Sequence, residues 1–131
     1  MFKKKKIIAV ILARSGSKRV KDKNIKLLNK KPLIYWTIKE AKKSKLIDRL
    51  VLSSDSLKYF KVAKKCGLND FVKRPKRLSE SNTTSIDSLI FTLNQIISTA
   101  ENYDYCLLLE PTSPLRVVDD IDRSIKKIVS S

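Results

Sequence analysis

Apolar residues in this chain come in short unbroken runs, separated by longer segments in which they recur every three or four positions. Ile7–Ala13, Leu50–Ser53 and Cys106–Leu109 are continuous and rich in Ile, Val and Leu, the pattern of strands buried on both faces. Asn69–Lys73 reads as a further short strand. Helical periodicity fills the intervals. Pro32–Lys45 opens with a proline in a tolerated first-turn position and puts Ile34, Ile38 and Ala41 on one face. Ser56–Cys66 is followed by Gly67, well placed to end a helix. Ser85–Ser98 carries Ile86, Leu89, Ile90, Leu93, Ile96 and Ile97 in register, with Thr84 and Asp87 offering a capping box at its start. Val118–Val129 aligns Ile121, Ile125 and Ile128 and has Asp119, Asp120 and Asp122 in its first turn, where the helix dipole favours acids.

The order βαβα(β)αβα predicts an α/β chain of three layers, a mainly parallel sheet wrapped by helices. Ligands of such sheets bind beyond the carboxyl ends of the strands. Three polar motifs fall there: ARSGSKR after the first strand, SSDS after the second and EPTSPLR after the last.

With 131 residues, 42% hydrophobic and 32% charged, and no repeat or linker-like stretch, residues 1–131 read as one globular domain with a real core. The net charge of +16 raises polyanion binding, but 22 of the 29 basic residues are lysines scattered along most of the chain. Such a spread favours a solvated surface over a nucleic-acid footprint. The aromatic pairs Tyr35–Trp36 and Tyr59–Phe60 sit at helical positions that suit packing, so no nucleic-acid partner is expected. MFKKKK followed by IIAVILA resembles a signal peptide, yet the apolar part is short and Arg14 and Lys18 follow without a clean cleavage site. A buried first strand, no membrane span and a cytoplasmic location are the expectations. Cys66 and Cys106 belong to no metal-spacing pattern and read as small, buried or half-buried residues. Histidine is absent, which excludes histidine bases and histidine metal ligands from this stretch.

LARSGSKRVKDKN (Leu12–Asn24) holds Arg14, Lys18, Arg19, Lys21 and Lys23 around Ser15, Gly16 and Ser17. Glycine and serines permit a tight turn with exposed N–H groups, and the cations suit a polyphosphate. Neither the P-loop nor the GxGxxG spacing is present. On these residues alone a phosphate cradle and a solvated basic loop are equally open.

That run, followed by KKPLIYWTIKEAKKS, LVLSSDS, KRPKRLSESNTTSID and LLLEPTSPLRVVDDID, resembles the cytidylyltransferases that activate N-acylneuraminate and related nine-carbon sialic-type sugars. The resemblance spans about Lys5 to Ile128 and implies a Rossmann-like nucleotide-diphospho-sugar transferase fold, present here as its N-terminal part. It implies that the sugar's anomeric hydroxyl attacks the α-phosphate of CTP, with Mg²⁺ assistance, to give a CMP-sugar and pyrophosphate. By the same match Arg14, Ser17, Lys18, Lys23 and Asn24 hold the nucleotide, with Arg14 and Lys23 in the catalytic role of neutralising charge. Arg74 lies near the nucleotide, and Ser85 contacts it, caps its helix, or does both.

Glu110 stands where many relatives carry glutamine facing the sugar, and its carboxylate can meet Mg²⁺, sugar hydroxyls or Arg116. Arg19 replaces a common glycine, which bears on whether N-acetylneuraminate, legionaminate or pseudaminate is the acceptor. Ser81 replaces a usual aspartate. Asp55 either orders the site or caps the following helix, the cap being the favoured reading. The family's paired metal-ligating aspartates, sugar-binding basic residues and most of its homodimer interface lie beyond the matched part. The 131-residue chain is therefore expected to be inactive or nearly so by itself, aggregation-prone through exposed surface, and at the limit a non-catalytic CTP- or phosphate-binding module.

Overall fold

The computed structural model describes residues 3–14, 25–75, 85–97, 102–111 and 118–130. At its centre is β1 (Ile7–Leu12), which can be sheathed on both sides because every side chain in IIAVIL is apolar. On one edge β1 pairs in parallel with β4 (Arg49–Ser54), Ile8 opposite Arg49 and Leu12 opposite Ser53. On the other edge it pairs in parallel with β6 (Tyr105–Leu109), Ile7 opposite Tyr105 and Ile11 opposite Leu109. β5 (Phe71–Lys73) extends the sheet beyond β4, giving the order β5-β4-β1-β6.

The chain thus walks outward from β1 to β4 to β5, then returns across β1 to β6. Right-handed crossovers place the helices of the outward walk on one face and the helix of the return on the other. α1 (Leu33–Lys42) and α2 (Leu57–Lys65), joined by α4 (Val118–Ser130), cover the face of Ile7, Ala9 and Ile11 with Ile34, Ile38, Tyr59, Ala63, Ile121 and Ile125. α3 (Ser85–Ile97) covers the face of Ile8, Val10 and Val51 with Leu89, Leu93 and Ile96. The mainly parallel three-layer sheet expected from the sequence is the one observed. Among the described residues no helix is long and apolar enough to cross a membrane.

Several boundaries differ for physical reasons. A hairpin of β2 (Leu27–Leu28) and β3 (Lys31–Pro32) precedes α1, where the sequence reading had only the start of a helix. Its turn residues Asn29 and Lys30 both have positive φ, 50° and 68°, the geometry of a tight primed turn. Pro32 closes the hairpin and flanks α1 instead of beginning it. The Trp36 indole N–H donates to the Leu28 carbonyl at 3.0 Å, fastening the hairpin to the helix. α1 ends at Lys42 rather than Lys45. Gly67 does terminate α2: at φ 93° its N–H donates to Lys64 O, and the Leu68 N–H reaches back to Ala63 O. Ile86 and Ile90, expected on the buried stripe of α3, are 66% and 52% exposed, because the stripe is wider than the sheet face beneath it. Ile128, aligned with Ile121 and Ile125 in the sequence, is likewise 44% exposed. Cys66 and Cys106 are half-buried free thiols, and burial pushes Cys106 up to about 11.

Glu40 joins α1 to α4. Its carboxylate takes the Lys43 ammonium at 2.7 Å and the Val118 N–H at the α4 N-terminus at 3.0 Å. The hydrogen bond from Lys43 leads in lowering its pKa from the ordinary 4.5, against the opposing effect of burial, with the Val118 N–H helping. A carboxyl depressed on folding adds stability above its unfolded pKa, and that stability is lost as pH falls through the folded value. Glu40→Gln is therefore expected to flatten the stability–pH curve below about pH 4.5 and to cost about 1 kcal/mol at neutral pH. Urea unfolding between pH 3 and 7 reads both effects, and an unchanged acid slope would refute them.

Candidate functional site

The site is built by extending the sheet register past the ends of the strands. Leu12 lies opposite Ser53, and Ser54 lies opposite Lys73. Two residues on from the first pair are Arg14 and Asp55, and one on from the second are Asp55 and Arg74. In a parallel sheet, residues in register share a face. The ladder therefore brings Arg14, Asp55 and Arg74 into one row, on the α3 side of the carboxyl edge. Backbone bonds hold the row together, from Ala13 N–H to Ser53 O at 3.0 Å and from Arg74 N–H to Ser54 O at 2.8 Å.

Arg74 is only 3% exposed. Its Nη2 donates to the Ser53 carbonyl at 3.4 Å, and its Nε finds no acceptor among the described residues. Burial lowers its pKa, Asp55 opposes that shift, and the neighbouring Arg14 charge adds to it. A buried guanidinium whose Nε–H has no acceptor among the described residues keeps a directional donor to spare. It opens into a cleft of about 410 Å³ lined by Asp55, Lys73, Arg74, Pro75 and Phe91.

Asp55, 8% exposed, is the buried carboxylate of this cleft. The cap reading of Asp55 is corrected here, because Ser56 occupies the cap position of α2, with no side-chain cap hydrogen bond. Asp55 instead lies within electrostatic reach of Arg74. Phe91, Lys73 and Pro75 were not singled out in the sequence. The signal that finds them is the register of β4 and β5 together with the overlying α3.

Glu110 directly follows β6, on the side of β1 where the strand order reverses, and is exposed. Among the described residues no group of three or more His, Cys, Asp or Glu side chains forms a metal-binding cluster. Ser85 opens α3. Ser17, Lys18, Arg19, Lys23 and Asn24, with Ser81, Thr84 and Arg116, lie outside the described residues.

A parallel sheet whose strand order reverses beside its central strand, with arginines along its carboxyl edge, is the arrangement of nucleotide-binding α/β proteins. The profile of the family described as Cytidylyltransferase matches residues 8–130. The chain belongs to the cytidylyltransferase family. It is 36% identical over 121 residues to the N-acylneuraminate cytidylyltransferase of Escherichia coli O18:K1:H7 (strain RS218 / NMEC), covering 92% of this chain and 28% of that protein. It is also 36% identical over 121 residues to the CMP-N,N'-diacetyllegionaminic acid synthase of Legionella pneumophila subsp. pneumophila (strain Philadelphia 1 / ATCC 33152 / DSM 7513), covering 92% of this chain and 52% of that one. Among solved structures, the CMP:2-keto-3-deoxy-manno-octonic acid synthetase complexed with CTP shares the fold, with TM-score 0.82, 17% identity and coverage of 96% of this chain and 48% of that one. The chain spans from about a quarter to about half the length of these proteins.

Proposed function

We propose that this chain forms the nucleotide-binding part of a cytidylyltransferase that moves CMP from CTP to the anomeric hydroxyl of a sialic-type nine-carbon acidic sugar, releasing pyrophosphate. The observation that carries this reading is the buried Arg74 guanidinium, its Nε without an acceptor among the described residues, on the carboxyl edge of a sheet belonging to this family. The names of the relatives support the cytidylyl donor and a nonulosonate acceptor, and they differ in which acceptor is named. Legionaminate, and pseudaminate, the acceptor in the name of a Campylobacter jejuni relative, are the alternatives to N-acetylneuraminate.

In this reading Arg14 and Lys23 neutralise charge on the triphosphate, with Ser17, Lys18 and Asn24 holding it. Arg74 and the N-terminal turn at Ser85 fix the nucleotide in the cleft beside Phe91. Cations placed where negative charge gathers on the leaving pyrophosphate stabilise the transition state more than the ground state. Mg²⁺ binds through one or two carboxylates together with substrate phosphates. Glu110, exposed at the end of β6, fits that limited donor set, and the ion supplies further charge neutralisation. None of these 131 residues is a histidine, so within this stretch the proton of the sugar hydroxyl would pass to a carboxylate, a metal-bound hydroxide or solvent. The complete protein acts in the cytoplasm as a homodimer.

Calorimetric titration of the chain with CTP, ATP and a DNA oligomer at fixed salt tests the donor. CTP is expected to bind at least about tenfold more tightly than ATP, and the oligomer to show only salt-sensitive, non-saturating association. Equal affinity for CTP and ATP would defeat the proposal. Assays of CMP-sugar formation with each acceptor separate a catalytic chain from one that only binds CTP.

A further inference from the structure

Ser53 and Thr92 are both 0% exposed, one at the end of β4 and one in the middle of α3. Their hydroxyl oxygens lie 2.6 Å apart, and Thr92 Oγ1 is 2.8 Å from the Ser88 carbonyl oxygen. A carbonyl only accepts, so the Thr92 proton goes to Ser88, and Ser53 must donate to Thr92. The hydrogen bonds therefore run in one direction, from Ser53 to Thr92 to Ser88. The Ser53 carbonyl meanwhile receives the Ala13 N–H and the Arg74 guanidinium. One residue thus ties together the end of β1, the buried arginine and the overlying helix.

The apolar contacts of this layer come from Ile8, Val10, Val51 and Ile96, with Leu89 and Leu93 packed against them. Apolar contacts are non-directional, so they fix the rotation and register of a helix less specifically than a hydrogen bond does. Two of the apolar residues in the first half of α3, Ile86 and Ile90, face solvent, so that half is less anchored by burial. A back-bond to Ser88 by itself would satisfy Thr92, as threonines in helices often do. It would not account for a fully buried strand hydroxyl aimed at the same atom.

We infer that the Ser53–Thr92 hydrogen bond is a positioning device, which sets the first turns of α3 over the carboxyl edge so that Phe91 and Arg74 flank the cleft at the spacing the nucleotide needs. The inference rests on the reading that this cleft takes CTP. Ser53 and Thr92 touch no substrate and act through Arg74 and α3.

The test uses two variants of the chain, CTP calorimetry, amide hydrogen exchange in α3 and thermal unfolding. Thr92→Val keeps the shape and removes the hydroxyl; Thr92→Ser keeps the hydroxyl and removes a buried methyl. Thr92→Val is expected to weaken CTP binding about five- to tenfold, the worth of one buried neutral hydrogen bond, and to speed exchange around Ser88–Phe91 by a similar factor. Thr92→Ser is expected to melt at a lower temperature yet bind CTP like wild type. Wild-type affinity in Thr92→Val overturns the inference, as do losses of affinity in both variants that simply track their melting temperatures. If the wild-type chain takes no CTP, the nucleotide reading fails by itself. The exchange comparison then decides whether the hydrogen bond holds α3, and unchanged protection in Thr92→Val overturns that too.

Discussion

Arg74→Met is expected to weaken CTP binding by about a hundredfold or more, the largest loss of any single substitution on the carboxyl edge. Truncating a desolvated charged partner of a ligand costs about 2–5 kcal/mol, and each factor of ten in affinity is about 1.4 kcal/mol. The guanidinium is 3% exposed, so it is already stripped of water before the ligand arrives. Its Nε has no acceptor among the described residues, which leaves a donor whose desolvation penalty an anionic or carbonyl oxygen would relieve. Surface lysines elsewhere on this +16 chain offer charge without that preorganisation. Methionine keeps much of the arginine's length and volume, so the cleft walls stay in place. Arg74→Lys should fall between the two, since an ammonium restores the charge but not the planar fork. Calorimetry with CTP at fixed ionic strength gives the ranking, and Arg74→Met binding as tightly as wild type would remove Arg74 from the site.

The sheet was legible in the sequence because its central strand has no polar residue and its helices repeat every three to four positions. The hairpin of β2 and β3 was not. Its strands are two residues each, flanked by lysines, and its turn is carried by Asn29 and Lys30 instead of the Asn-Gly pair that announces such turns. The extent of burial on α3 was also hidden, since periodicity marks an apolar stripe without saying how wide the surface beneath it is.

In the site, Arg14 and Arg74 could be named from motifs, but their meeting could not. It depends on the pairing of β1, β4 and β5, which are far apart along the chain. Asp55 shows the same limit from the other side. An aspartate just before a helix is a good cap by local rules, yet the register of β4 and β5, carried one residue past its end, sets it beside Arg74, and the cap position falls to Ser56.

Asp55→Asn tests that placement most severely. Removing one member of a buried charge pair leaves the other uncompensated, a loss of about 3–5 kcal/mol for intimate pairs. Asp55 acts on Arg74 through its charge, and asparagine keeps the size and some polarity, so a smaller destabilisation of about 1–2 kcal/mol is expected here. The nearby Arg14 charge adds to the loss, because without Asp55 two cations share the row. If the two residues act as a pair, Arg74→Met in the Asp55→Asn background removes the orphaned charge and recovers most of the stability. The double variant should then lie within about 1 kcal/mol of wild type, with a coupling energy inside the range of about 0.5–3 kcal/mol typical of groups in one charge network. Urea unfolding of the four proteins closes the cycle, and additive losses would show that Asp55 does not compensate Arg74. The same proteins separate folding from function. Stability should return in the double variant while CTP affinity stays at the Arg74→Met level, because the carboxylate holds the arginine ready and the arginine is what meets the ligand.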